Sequence, residues 1–513
     1  RKDDRLEMMA AGEEPNDEEL QKRADNSDTE KAALAVDYLV VGAGLASLAF
    51  LDELLSLDSK ATFALVDKNE APGGHWNFAY PFVRLHQPAA YYGVSSEPLA
   101  AGAKRSCMMT FEPYDNKDLA DKEKLLAYFA RAVRRFEATG RVQYFARATF
   151  SDGIIACADG SKRSVNVVRK LVLPASNVVV PAMRPPAYAV AEGVDCGPAN
   201  ILSSDEESGR LRTSYVVVGA GKTGVDSVLL LLRRGVPASA ITWVVSQDCW
   251  YFLRDYIFHS GSAFLGMSVK MLDALNECSD SSSFFHKMEA MRLVGRLDPS
   301  RPPPTTFRGA TVDIEELELL RTVEAAGGVV RLGRVTAIDA TGITLQQGHV
   351  ALPSADTLVV DCSANSTDGY APIRTPFEAD RIHLTPCYSF NIGFGAAILA
   401  WLEKNVETDE RKNANVFTII PEPGDVVKSG SPALLPLVLY GQFKMDKSLE
   451  RLGASSWMLT HRTNQASMKH ISLCKLLWAV IGPARLMARR DQFLAKMEAG
   501  GFTDVQLHRR HVA

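Results

Sequence analysis

No apolar run in this chain reaches the ~18 residues needed to cross a bilayer as a helix. The nearest, ISLCKLLWAVIGPARLMARR, is broken by Lys475, Gly482 and Pro483. It reads as a packing helix, with a peripheral contact to a membrane or a protein through its basic end as the alternative. Paired cysteines are lacking as well. Cys107, Cys157, Cys196, Cys249, Cys278, Cys362, Cys387 and Cys474 are scattered, with no CxxC or CxxxxC. That spacing excludes a dithiol redox pair and gives no zinc or iron–sulfur pattern, so no metal site is expected. Reduced, buried thiols in a reducing compartment are the expectation, either cytoplasmic or in an organelle lumen. There is no excess of basic charge. Fifty-seven Lys and Arg stand against 61 Asp and Glu, a net charge of −4, which speaks against a nucleic-acid surface. The first 34 residues are rich in charge, poor in large apolar groups and without the apolar core of a secretion signal, so a flexible tail is expected there. The chain begins at Arg1, and a trimmed targeting segment upstream is part of that expectation.

Two glycine turns are what the chain does have. DYLVVGAGLASLAFLDELL places Gly42, Gly44 and Ser47 between an apolar run and a helical pattern, and SYVVVGAGKTGVDSVLLLL repeats this at Gly219, Gly221 and Gly224, 177 residues later. A strand–turn–helix of this kind brings unpaired N–H groups at a helix N-terminus up to a diphosphate, where a Cβ would stand in the way. An acid is expected about 20 residues on, to accept from a ribose. TFALVDKNE supplies Asp67, 25 residues after Gly42. At the second turn the matching strand ends in Ser246, Gln247 and Asp248, with Arg254 further on. Lys222 and Thr223 lie inside that turn, and Lys222 is a candidate phosphate ligand. The string GAGKTG is not a P-loop, because Val216 stands where its first glycine belongs.

The loop APGGHWNFAYPFVRLHQPAAYYG, residues 71–93, comes after the Asp67 strand. The order GAGxxS, then Asp67-Lys68, then Gly73-Gly74-His75-Trp76, resembles the flavin-dependent monooxygenases, flavin-containing and Baeyer–Villiger types together. The resemblance implies FAD at the first turn, NADPH or NADH at the second, and the flavin ring beside residues 73–76. It implies an oxidoreductase that oxygenates a small organic molecule. The histidine fingerprint those enzymes carry between the two turns is absent from LVLPASNVVVPAMRPPAYAVAEGVDCGPANILSSD, which makes the chain an outlying branch. A flavin oxidase or dehydrogenase stays open beside the oxygenase, and so does a flavin-binding assembly subunit with little turnover.

Both halves run from a glycine turn through hairpin strands to a closing apolar strand. The expected fold is α/β, with two Rossmann-like dinucleotide-binding domains in three layers and a helical insert in the second half. The expected divisions are a tail over 1–34, the FAD domain over 35–205, a nicotinamide domain over 206–365 with the insert at about 250–326, and a return to the FAD domain with C-terminal helices over 366–513. The insert is rich in Phe and Met and suits an apolar pocket. Arg84 and His86, just past the GGHW loop, are the candidate catalytic residues, as a cation and a proton-transfer group. Trp76 and Tyr91 are candidate stacking partners, and the helix beginning near Asn391 is expected to direct its N-terminus at the flavin.

Overall fold

The computed structural model describes residues 33–99, 118–174, 184–207, 212–258, 261–363, 375–388, 391–417, 430–465, 467, 476–505 and 507. The charged tail through residue 32, Cys107, Cys474 and part of the interval between the two glycine turns lie outside the described residues.

The first unit comprises β1 (Leu34–Val41), α1 (Leu45–Leu57), β2 (Phe63–Val66), α2 (Lys122–Ala138), β3 (Val142–Phe145), β4 (Ala148–Ser151), β5 (Ile154–Cys157) and β6 (Lys162–Pro174). Its sheet runs β3-β2-β1-β6-β5-β4. The first four strands in that order pair parallel, and β5 pairs antiparallel with both β4 and β6. Central parallel strands are covered on both faces, which is why β2 reads as the unbroken apolar run FALV, buried at every position. α2 has one wet face. Leu125, Phe129, Ala132, Val133 and Phe136 form a helical stripe into the core, and Asp121 caps its start by accepting from Lys124 N at 2.9 Å.

The second unit repeats the plan. Its elements are β7 (Ala189–Val190), β8 (Cys196–Pro198), α3 (Ile201–Glu207), β9 (Ser214–Val218), α4 (Lys222–Arg233), β10 (Ile241–Val244), β11 (Cys249–Leu253), α5 (Arg254–Ile257), α6 (Gly261–Glu277), α7 (Ser281–Ala290), β12 (Val294–Gly295), β13 (Thr306–Val312), α8 (Ile314–Ala325), β14 (Val329–Val330), β15 (Val335–Asp339), β16 (Gly342–Leu345), β17 (Gly348–Ala351) and β18 (Thr357–Asp361). The sheet order β14-β10-β9-β18-β8 is parallel throughout. Position for position, β9, β10, β14 and β18 match β1, β2, β3 and β6. In both units the central strand feeds the glycine turn and a later strand closes beside it.

The chain then returns to the first sheet. β19 (Arg381–Leu384) pairs parallel with β6, Ile382 opposite Val172, and α9 (Ile392–Asn405) packs along α1. Burial from two sides explains why α1 is apolar nearly all round, with Ser47 through Leu55 buried. Helices α10 (Asp409–Asn413), α11 (Leu434–Arg451), α12 (Ser455–Thr460) and α13 (Leu476–Glu498) complete the described chain.

The segment 250–326 differs from a purely helical insert. β11 lies between β12 and β13 in a separate three-stranded sheet, and α8 is the crossover helix that leads into β14 of the second sheet. The buried aromatic run of β11 and the β-branched TFRGATV of β13 favour strands. The helical part is α6 and α7. With α11 and α13 they enclose a core of their own that includes Trp250, Phe284, Phe285, Tyr440, Phe443 and Phe493. Among the described residues, Cys249, Cys278, Cys362 and Cys387 are buried thiols, and Cys157 and Cys196 are half-buried. No helix of the described residues is long and apolar enough to cross a membrane.

The second turn gives a test of this packing. A Cβ on Gly224 would stand 1.9 Å from the Gly219 carbonyl oxygen, whereas one on Gly266, inside α6, meets nothing within 4 Å. Gly224→Ala is expected to lower stability by at least about 2 kcal/mol. Gly266→Ala is expected to be neutral or to raise stability by up to about 1 kcal/mol. Denaturant melts of the two variants compare them directly.

Candidate functional site

At the first turn β1 ends, Gly42 takes a left-handed φ of +81°, and α1 starts after Gly44. The first intrahelical bond of α1 runs from Leu48 N to Gly44 O at 3.0 Å, so the amides of Leu45, Ala46 and Ser47 precede the ladder. Ser47 Oγ turns inward and donates to Val41 O at 3.2 Å, the small-residue packing expected at that position. Asp67 lies at the end of β2. One oxygen of its buried carboxylate accepts from Ala43 N, and the other accepts from Asn69 N at 2.7 Å. The acid braces the turn while bordering the cleft in front of it.

Gly73 and Gly74 close over this turn. Gly73 N donates to Ala43 O at 2.8 Å, and a Cβ on Gly74 would come within 3.0 Å of Gly44 Cα. Both have positive φ, +136° and +57°. A short 3-10 turn, Gly74–Phe78, comes next. Trp76 is buried, and its indole N–H donates to Tyr92 Oη at 2.7 Å. Tyr91 is buried behind the cleft lining and serves as packing.

The loop continues to the second unit. Tyr80 Oη donates to Asp226 Oδ2 on α4 at 2.7 Å, and the His86 carbonyl accepts from Arg254 Nε at 3.1 Å. Residues 74–87 therefore bridge the two glycine turns. At the second turn Gly219 has φ +115°, and a Cβ there would lie 2.7 Å from Cys362 O. Gly221 caps α4, whose ladder begins with Val225 N to Gly221 O at 3.0 Å.

Several polar candidates have other roles than their sequence positions imply. Lys222 pairs with Asp226 one turn along α4, the short-range pairing a helix favours. Asp248 accepts from Arg331 Nε with both oxygens, at 3.0 and 2.9 Å. Arg254 is 3% exposed and held by Asp313, Glu316 and the Thr311 carbonyl, so it is a buried structural cation. Arg84 is exposed, bridged through its backbone to Asp121, and outside the cleft lining. Thr223 is the second residue of α4, and its carbonyl accepts from Ser227 Oγ at 2.8 Å.

A cleft of about 1020 Å³ opens in front of the first turn. One end is walled by Gly42, Gly44, Ser47, Asp67, Lys68, Gly74, His75 and Trp76. Asn391 and Ile392 add the start of α9 beside the start of α1. Asn391 caps α9 by accepting from Phe394 N at 3.1 Å and donates to Thr463 O at 2.7 Å. His75 and His86 line the same space. His75 is surrounded by protein yet opens on the cleft, and that enclosure pushes its pKa down. Burial, then the nearby Lys222 and Arg254 cations, push His86 well down, so the charged imidazolium is disfavoured at both rings.

The other end of the cleft is apolar. Phe252, Phe258, Phe264, Met267, Met271 and Met288 face α11 residues Leu435, Leu439 and Phe443 across it. One acid interrupts this lining. Tyr388 Oη donates to Asp446 Oδ1 at 3.0 Å, and Gln442, one turn earlier on α11, also lines the cleft. Burial raises the Asp446 carboxyl to about 7, opposed by the Tyr388 hydrogen bond and the Arg490 cation and reinforced by Glu450. Arg490 itself is committed to Glu450 through two bonds of 2.7 and 3.0 Å. Sequence reasoning missed Asp446. Its signal is a polar pair, Gln442 and Asp446, on the helical stripe 435–439–442–446 that is otherwise apolar.

No family model matches the chain. Uncharacterized proteins of Mycobacterium tuberculosis and Mycobacterium bovis are 37% identical to it over 398 residues, 76% of this chain and 71% of theirs. Solved structures that align with it include an oxidized steroid monooxygenase bound to NADP (13% identity, TM-score 0.44, 91% of this chain and 98% of that one). A flavin-containing monooxygenase from Stenotrophomonas maltophilia aligns at 13% identity and TM-score 0.40, covering 82% and 99%. Cyclohexanone-bound cyclohexanone monooxygenase aligns at 14% and 0.43, covering 72% and 88%.

The raised Asp446 carboxyl gives a pH test. Its folded pKa, about 7, lies above the ordinary carboxylate value near 4, so the folded state holds the proton more tightly than the unfolded state. The stability this group contributes is present below about pH 4 and is lost as pH rises through 7. Asp446→Asn stays neutral throughout. The melting temperature of the variant minus that of the parent is expected to be larger at pH 8 than at pH 5, and an equal difference at both would remove the assignment.

Proposed function

We propose a function for the family of the mycobacterial relatives, to which this chain belongs: an FAD-dependent oxidoreductase, reduced by NADPH or NADH, that oxygenates a small organic molecule. The observation that carries this reading is the pairing of two parallel sheets, each with a glycine turn at a helix N-terminus, joined by the loop 74–87 at one cleft. The residues fit an adenine dinucleotide at the first turn. Gly42 and Gly44 keep the approach to the α1 amides clear of side chains, and Asp67 borders that space. Bound there, the flavin would supply the electron-transfer chemistry that no side chain provides.

The chain's own residues do the rest. The α1 amides and Asp67 hold the dinucleotide, with Lys68 at the rim. Gly73 and Gly74 let the backbone pack flat against the turn, and His75 with Trp76 forms a wall of the reactive region. The starts of α1 and α9 present positive dipole ends to the same space and favour negative charge developing there. His86, neutral and facing the cleft, is suited to accept a proton from a bound molecule. The second turn, with Gly219, Gly221, Lys222, Thr223 and Gly224, is the proposed nicotinamide site, brought to the first through Tyr80 and Asp226. Commitment of Lys222 to Asp226 and of Asp248 to Arg331 favours a second reading, in which FAD binds but the second crevice takes no nicotinamide.

Purified protein is expected to be yellow and to bleach on anaerobic addition of NADPH or NADH. Bleaching by dithionite but by neither nicotinamide supports the second reading. Gly44→Ala is the sharper test. Gly44 has an ordinary extended conformation, and its Cβ would meet Gly74 Cα only at 3.7 Å. The variant is expected to fold with a melting temperature near that of the parent and to lose at least about tenfold in FAD affinity, roughly 1.4 kcal/mol. A Gly44→Ala protein that purifies fully yellow would overturn the placement of FAD.

A further inference from the structure

The apolar end of the cleft is lined from four helices, and its lining is chemically uneven. α6 and α7 present Phe264, Met267, Met271 and Met288, α11 presents Leu435, Leu439 and Phe443, and α13 adds Leu486. Within this lining Asp446 and Gln442 occupy adjacent turns of α11, and Tyr388 reaches Asp446 from the loop after β19. Tyr388 in turn packs edge-on against Phe394 in the first turn of α9, ring centres 4.8 Å apart. The acid therefore sits where the apolar arm meets the end of the cleft flanked by the α9 N-terminus. No ion pair to Asp446 occurs among the described residues, and the nearby Arg490 is taken by Glu450.

A carboxyl held at an apolar wall, with one phenol donor and no cation of its own, has acceptor capacity left for a ligand. Such a group discriminates by head group. A donor on the ligand satisfies it, whereas a second carboxylate leaves two acceptors facing each other in a poorly hydrated space. We propose that the Asp446 carboxyl, held by Tyr388 and flanked by Gln442, anchors a substrate that is mainly apolar and carries one hydrogen-bond-donating head, an amine or a hydroxyl. This rests on the reading of the cleft as the site of an FAD-dependent oxidoreductase and names the class of molecule it takes. The flexible Met and Phe side chains accept an apolar body of irregular shape, so selectivity resides in the head group.

The test is a binding measurement, independent of turnover. Full-length protein as purified is titrated at pH 8 with 1-decanol, decylamine, decanoate and decane, monitored by calorimetry and by quenching of tryptophan fluorescence. Decylamine and 1-decanol are expected to bind at least tenfold more tightly than decanoate. Asp446→Asn is expected to weaken decylamine at least tenfold. Tyr388→Phe, which leaves the carboxyl in place, is expected to keep the preference for decylamine over decanoate. Matching melting curves and circular dichroism spectra establish that the variants are folded. Equal affinity for decylamine and decanoate, an unchanged ranking in Asp446→Asn, or no binding by any probe would each overturn the proposal. A colourless protein that still shows the ranking would retain this anchor and lose the flavin reading. A yellow protein without the ranking would do the reverse.

Discussion

The contact on which the cleft depends is one of backbone against backbone. Gly44 and Gly74 approach so closely that a single methyl group on Gly74 would come within 3.0 Å of the facing Cα, and Gly73 N bonds to Ala43 O across the same gap. Asp67 secures the turn from the strand side through Ala43 N. The first turn, the end of β2 and the loop that follows it are thus fixed at one point by glycines and one carboxylate. The seating of Gly74 sets the direction of the GGHW loop. His75 then faces the cleft, Trp76 turns inward to Tyr92, and the chain runs on to meet α4 at Asp226 and α5 at Arg254. The two units are held together through this loop, and the relation between their glycine turns is set by it.

The parts legible in the sequence were those whose cause is local. A strand, a turn that needs φ above zero, and a helix whose first amides are free form a pattern of about 15 residues, and both copies folded as their residues implied. Asp67 was legible because it comes directly after β2. The parallel sheets were legible because doubly covered strands lose their alternation. Strand order in the second unit matched the first because the two share one plan.

The parts that were not legible depend on partners far along the chain. Asp248 and Arg254 are plausible phosphate or ribose ligands by position, and each is occupied by a partner that sequence spacing does not reveal, Arg331 and the Asp313–Glu316 pair, whereas Lys222 is taken by Asp226 one turn along its own helix. Arg84 and His86 differ by two residues and looked equivalent. The fold separates them: Arg84, bridged through its backbone to Asp121, is exposed and outside the cleft lining, and His86 lines the cleft. β11 was hidden inside an aromatic run that fits a buried helix as well as a buried strand. Asp446 belongs to a helix more than 350 residues from Asn69, and its meeting with Tyr388 is set by the return of β19 to the first sheet.

The electrostatics of the cleft arise from the same arrangement. His75 and His86 border it from the loop 74–87 and Asp446 from α11, and in each case enclosure by the protein disfavours the charged form. The first two are left as neutral bases, and the third is a carboxyl balanced between its two states near neutral pH. With these side chains largely uncharged, the starts of α1 and α9 supply fixed positive potential at one end, and it is oriented rather than titratable. The opposite end has no comparable source, only a carboxyl whose charge changes near neutral pH. A molecule entering this cleft therefore meets a gradient fixed at the glycine-turn end and adjustable at the apolar end. That polarity orients an elongated ligand before any contact specific to its shape is made.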